Sequence, residues 1–232
     1  MILFELHGLN DLRYSQFSWR SRLALAHKGF MPEYFGVRVS DKAAIEFSKQ
    51  DKVPILRDGE RIITDSWRIA EYLESTYPDR PSLFGGPAGQ ALARFVNVWV
   101  DRQIIPAVAP FVACDLPDCV DEQDSVHLRT QLEKVFGTSF ETMRAERGAG
   151  LKGLRRHFDV PRAVLKAQPF LSGQAPGYAD YVLFSVFQWS RLVSTMELLA
   201  SDDVMAAWRE RMLDLFDGMA RSAPARVVER TS

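Results

Sequence analysis

The chain has 232 residues, 47% of them hydrophobic and 25% charged, with a formal net charge of −1 and four histidines. That length allows one large or two small domains around a substantial core, and the near-neutral balance excludes the bulk attraction by which basic proteins hold nucleic acid or acidic membranes. Two cysteines, Cys114 and Cys119, are too few for a disulfide framework or a four-ligand metal site, so both read as ordinary thiols of a reducing compartment and no metal is expected.

In chain order, Ile2 to Leu6 is a buried strand, preceded by no basic start and no small-residue cleavage site. No apolar run in the chain approaches membrane-spanning length, which predicts a soluble cytoplasmic protein. Gly8-Leu9-Asn10-Asp11 reads as a turn. From Ser18 the period becomes helical: Trp19, Leu23 and Ala26 share a face, Arg20, Arg22 and Lys28 fall elsewhere, and Gly29 closes the helix in the left-handed conformation. Tyr34 to Val39 alternates as a second strand, and residues 40–52 are polar enough for a short irregular helix and loop. Ile55-Leu56-Arg57, an Asp58-Gly59 turn and Arg61 to Thr64 make a hairpin. A helix follows over 66–76, stopped by Tyr77-Pro78.

This order, βαβ and then ββα, is the outline of a thioredoxin-like half, because the parallel first pair needs the helical crossover that residues 18–29 supply. Pro78-Asp79-Arg80-Pro81 and Gly85-Gly86-Pro87 punctuate the chain. The expected division is a thioredoxin-like domain over 1–80, a linker over 81–87 and an all-helical domain over 88–232. The fold class is therefore α+β, a βαβββα domain followed by a helical bundle. In the second half the periodicity predicts a helix over 88–112 with Leu92, Phe95, Val96, Trp99 and Val100 on its apolar face and Pro106 and Pro110 bending its end. A loop is expected over 115–125 and helices over 126–147, 161–166, 179–192 and 204–220. The polar end after Ala223-Pro224 is expected to fray.

Three short stretches carry chemistry as a set. Ser15-Gln16-Phe17-Ser18 lies between the first strand and the first helix, where a thioredoxin or glutaredoxin carries Cys-x-x-Cys; with both sulfurs missing, dithiol redox chemistry is excluded. At a helix start the Ser15 hydroxyl, unpaired backbone N–H groups and the positive dipole end favour a thiolate brought by a ligand. Val53-Pro54 opens the third strand, where a cis bond would turn the Val53 backbone outward to pair with an extended peptide. Asp65-Ser66 opens the second helix, where a hydroxyl and N–H groups suit a carboxylate and the Asp65 side chain suits an ammonium. With Gln50 and Lys52 in reach of a second carboxylate, the set describes a glutathione site with Ser15 as hydrogen-bond donor to the sulfur. Each residue alone also reads as a plain helix cap or solvated loop residue. Tyr14 reads as packing beside the site more than as a second donor. His7 reads as an interior or loop histidine, and Trp99, Gln103 and Phe111 as core more than as a second-substrate wall.

Taken together, Ser15 to Leu25, Lys52-Val53-Pro54-Ile55-Leu56, Asp65-Ser66 with Ile69-Ala70-Glu71-Tyr72-Leu73, and Gly177-Tyr178-Ala179-Asp180-Tyr181 resemble the cytosolic glutathione S-transferase family. The first stretch is similar to the Ser-x-x-Ser-Trp-Arg signature of zeta-class enzymes; it and the runs 77–81 and 179–181 resemble bacterial β-etherase-like transferases. The resemblance implies glutathione as co-substrate, Ser15 as the thiol-activating serine, Val53 as backbone partner of the cysteinyl moiety and Asp65-Ser66 as the γ-glutamyl grip. It also implies a small apolar or aromatic electrophile bound between the two domains, and a homodimer. The implied activity is glutathione transfer, with glutathione-dependent β-aryl ether cleavage and a non-catalytic binding module as alternatives. Asp180 matches the family's buried helix-start aspartate, with a folding role. Gly177 stands where a Ser or Thr usually precedes it, so Asp180 is left to satisfy the loop N–H groups alone. Gln16 and Phe17 depart from the small or Cys residues of zeta enzymes, which weighs against maleylacetoacetate isomerisation.

Overall fold

Four short strands form one mixed sheet in the computed structural model, which describes residues 1–226: β1 (Ile2–Leu6), β2 (Glu33–Val37), β3 (Ile55–Asp58) and β4 (Arg61–Thr64), in the order β2-β1-β3-β4. The end expected to fray lies, from residue 227 on, outside the described residues. β1 and β2 run parallel, with Ile2 opposite Glu33, and the helix α1 (Gln16–His27) makes the crossover. β3 is antiparallel to β1, with Ile55 opposite Phe4, and β4 is antiparallel to β3, with Thr64 opposite Ile55. This register brings the end of β1, the start of β3 and the end of β4 to one edge of the sheet. From that edge the chain enters α1 and α2 (Ser66–Thr76).

Every element after Thr64 that is longer than an isolated bridge is helical among the described residues. The expected helix over 88–112 is α3 (Pro87–Trp99), a π-helical segment Val100–Ile104, and α4 (Ile105–Val112). Pro106 has no N–H to continue the α-helical ladder, and the wider π turn lies directly before it. Its apolar face is a correction. Ala93, Asn97, Val100 and Ile104 are buried, whereas Leu92 and Phe95 remain about 70% exposed.

Residues 115–125 are not a loop. Ala113–Cys119 is a 3-10 helix, and α5 (Glu122–Phe136) starts on Asp121, whose side chain accepts from the Asp124 N–H. The helix expected over 126–147 is two: Gly137 ends α5 at φ 68°, and Ser139 caps α6 (Phe140–Arg156). Both are ordinary stop and start residues that apolar periodicity alone overrode. Two further helices, α7 (Asp159–Leu165) and α8 (Tyr178–Val193), fall within two residues of expectation. The last segment splits into α9 (Val204–Leu213) and α10 (Leu215–Ser222), with Phe216, Asp217 and Gly218 all at positive φ.

α8 is the centre of the core, with all but one of its sixteen residues buried. α1 packs along it and joins the halves. Arg20 and Lys28, expected off the buried face, are each only 1% exposed. Lys28 is neutralised by Glu74 at 2.7 Å, and Arg20 is turned into the interface between the halves. Arg20, Leu23 and Ala24 share the i, i+3, i+4 spacing of one face, so the arginine's charge concealed its place in the pattern.

Candidate functional site

Ser15 is the N-cap of α1. Its Oγ accepts from the Ser18 N–H at 3.3 Å, an acceptor role that leaves the hydroxyl hydrogen to be donated elsewhere. The loop leading to it is held from both sides. The Trp19 indole N–H donates to the Arg13 carbonyl at 2.8 Å. Gly8 lies so close to the 3-10 segment that a Cβ there would stand 2.1 Å from the Cys119 carbonyl oxygen.

The Val53-Pro54 bond is cis, and the Pro54 carbonyl accepts from the Asp65 N–H at 3.3 Å, tying the start of β3 to the end of β4. Asp65 caps α2 from a left-handed backbone, φ 75°, with Oδ1 accepting from the N–H groups of Trp67 (3.0 Å) and Arg68 (3.1 Å). Ser66 is buried, and its carbonyl accepts from the Tyr178 hydroxyl at 2.8 Å. Ser15, Val53-Pro54 and Asp65-Ser66 therefore all sit at the sheet edge where β1 and β4 end and β3 begins.

A cleft of about 970 Å³ runs from this edge between the halves. Asp65, Trp67 and Arg68 line one wall, Arg94, Asn97 and Asp101 the other, and Gln50 belongs to the lining as well. Lys52 is exposed and does not line it. The wall from α3 was missed by sequence reasoning, as was Arg20 behind it. The Arg20 guanidinium donates to Ser185 Oγ (3.2 Å), Asn97 Oδ1 (3.4 Å) and Asp101 Oδ1 (2.8 Å), while Asn97 donates to Asp101 Oδ2 at 2.8 Å.

Tyr14 is packing, as expected: it is 3% exposed, and burial, followed by the nearby Asp124, pushes its phenol far above the ordinary range, so it stays neutral. Its hydroxyl has no partner among the described residues. An unpaired buried hydroxyl costs free energy, so Tyr14→Phe is expected to raise stability by about 1 kcal/mol. Urea unfolding checks this; a loss of stability would mean that the hydroxyl is bonded. His7 packs against Gly36 away from the cleft, and the Phe111 ring lies 3.0 Å from where a Cβ at Gly150 would stand, turned onto α6. Both cysteines are buried, which raises the Cys114 thiol and pushes Cys119 up to about 11. Among the described residues no group of three or more His, Cys, Asp or Glu is placed to hold a metal ion, and no helix is long and apolar enough to cross a membrane.

Residues 9–81 match the family described as Glutathione S-transferase, N-terminal domain, and residues 91–221 the family described as Glutathione S-transferase, C-terminal domain. The chain is 29% identical over 174 residues to the glutathione S-transferase-like protein ustS of Aspergillus flavus, a match covering 68% of this chain but only 57% of that protein. It is 24% identical over 205 residues to glutathione S-transferase omega-1 of Mus musculus, covering 87% of this chain and 74% of the relative. A stretch of 96 residues, 40% of this chain, is 38% identical to a probable maleylacetoacetate isomerase of Caenorhabditis elegans, of which it covers 45%. Among solved structures, the glutathione transferase GSTFuA3 of Phanerochaete chrysosporium superposes with a TM-score of 0.81 at 20% identity, covering 94% of this chain and 96% of the other. A Ceriporiopsis subvermispora glutathione S-transferase in complex with glutathione gives 0.80 at 21% identity, with 96% and 98% covered. At these identities the likeness is one of fold.

Proposed function

This chain belongs to the glutathione S-transferase family, and on that premise we propose that it binds glutathione along the sheet edge and holds its thiolate, through Ser15, for attack on a small apolar or aromatic electrophile. The Val53 backbone pairs with the cysteinyl moiety and Asp65-Ser66 takes the γ-glutamyl end. The glycyl carboxylate is assigned to Gln50 and Lys52. The observation that supports this reading is the Ser15 hydroxyl: its oxygen caps α1, its hydrogen has no acceptor among the described residues, and the residue stands at the same edge of the sheet as Val53-Pro54 and Asp65-Ser66.

A free thiol of this kind titrates near about 8.5 and is mostly protonated at neutral pH. Lowering it by two units takes roughly 2.7 kcal/mol of preference for the thiolate, which one O–H···S⁻ bond and a helix terminus together can provide. Bound glutathione is therefore expected to titrate roughly two units below the free thiol. Ultraviolet absorbance of the thiolate, followed against pH with saturating tripeptide, checks this; an unshifted titration would sink the mechanism.

The exposed stripe of Leu92, Phe95 and Val98 on α3 is read as the face covered by a second copy in a homodimer. Light scattering at twice the chain mass is the expected result, and a monomer at all concentrations would refute it.

A further inference from the structure

We propose that Arg94 is a specificity residue for this ligand, the cation that takes the α-carboxylate of its γ-glutamyl end. This rests on the glutathione reading above and adds a cation to the hydroxyl and N–H that Ser66 provides. The start of α2 looks like a ready anion site, but two of its donors are spent, which leaves the Ser66 N–H and hydroxyl. Asp65 Oδ1 already accepts from the Trp67 and Arg68 N–H groups, and it places a negative charge where the carboxylate would arrive. A ligand carboxylate at Ser66 therefore needs a nearby cation.

The cleft supplies one through an imbalance in how its charges are used. Its three acids are committed: Asp101 to Arg20 and Asn97, Glu71 to the Gln90 side chain at 3.3 Å, and Asp65 to its helix. Its two arginines, Arg68 and Arg94, have no carboxylate within ion-pair distance among the described residues. The cleft thus carries anions that already accept hydrogen bonds and two arginines that have no ion-pair partner among the described residues. Of the two, Arg94 is the preorganised one. Its guanidinium lies 4.9 Å from the centre of the Trp67 ring. That ring is held in turn by Phe84 and Tyr178 at 5.4 and 5.6 Å. Trp67 follows Ser66 directly, so the same aromatic group that seats the arginine fixes the turn it faces. The planar fork of a guanidinium also matches a carboxylate with two parallel N–H donors.

Calorimetry with three tripeptides tests the assignment: glutathione, an analogue with 4-aminobutyrate in place of the γ-glutamyl residue, which lacks only the α-carboxylate, and a glutaryl analogue, which lacks only the amine. The wild type is expected to bind the 4-aminobutyryl analogue roughly tenfold to a hundredfold more weakly than glutathione. Arg94→Gln is expected to lose much of that factor for glutathione, to discriminate less between glutathione and the 4-aminobutyryl analogue, and to keep the wild-type discrimination against the glutaryl analogue. Arg94→Lys should recover part of the loss. Wild-type affinity of Arg94→Gln for glutathione would overturn the proposal, and so would an equal loss on all three peptides, which would mean that Arg94 acts only by packing on Trp67. Failure of the wild type to take up any of the three would instead overturn the glutathione reading beneath it.

Discussion

Ser15→Ala is expected to lower turnover with thiol acceptors by one to three orders of magnitude, the equivalent of about 1.4 to 4 kcal/mol of lost transition-state stabilisation. The substitution removes the hydrogen proposed to be donated to the sulfur and also the acceptor for the Ser18 N–H. The second loss is a helix cap, typically about 1 kcal/mol of stability. Two readouts separate these effects. Loss of the sulfur bond raises the titration of bound glutathione toward that of the free thiol, whereas loss of the cap lowers the urea midpoint and leaves that titration in place. Thr in place of Ser keeps both roles in principle and should restore most of the activity. Full turnover by Ser15→Ala with every acceptor tried would show that the serine is a cap and nothing more.

Asp180→Ala is expected to destabilise the fold by about 3–5 kcal/mol, a large part of the stability of an ordinary domain. The carboxylate is fully buried. Oδ1 accepts from the Leu171 N–H (2.7 Å) and the Trp208 indole (3.0 Å), and Oδ2 from the N–H groups of Ser172 (3.0 Å) and Gly177 (3.2 Å). Four donors, three of them backbone, lose their partner at once, around a carboxylate that is itself fully buried. Asn at this position keeps one oxygen but turns an amide donor toward the N–H groups that faced the other, so it should recover less than half of the loss. Urea unfolding of both variants measures the effect. A change below about 1 kcal/mol for Ala would mean that the loop rearranges to bond itself. Gly177 is part of the same device: a Cβ there would stand 2.7 Å from the Ser172 hydroxyl oxygen and 3.2 Å from the Leu83 carbonyl oxygen. A side chain at this position would have to displace the Ser172 hydroxyl, and with glycine there the aspartate carries the turn alone.

The residues that mark the first half were legible because each has a local cause. Pro54 and Gly59 restrict or free the backbone, Asp65 and Ser15 cap helices, and the strands alternate as their pairing demands. That is why α2 and the hairpin fall where the sequence places them. The breaks in the helical half were equally local at Gly137 and Ser139, yet an apolar stripe running through them outweighed two short signals. Arg20, Asn97 and Asp101 were not legible for a different reason. Their meaning lies in one another, across separations of 77 and 81 residues from Arg20, and no local pattern distinguishes a buried polar network from three solvated side chains. Leu92 and Phe95 misled in the opposite direction, since an apolar face specifies that something covers it and does not specify what. The identity of the acceptor is hidden for a chemical reason: conjugation and ether cleavage draw on the same thiolate.

The bond from the Tyr178 hydroxyl to the Ser66 carbonyl ties the turn proposed to hold the tripeptide to the opposite half. Residues 1–80 expressed by themselves would keep Ser15, Val53-Pro54 and Asp65-Ser66 but lose this tie and Arg94, so the proposed grip is expected to need the joined halves. On that proposal, adding the tripeptide is expected to slow amide exchange along the first turn of α8.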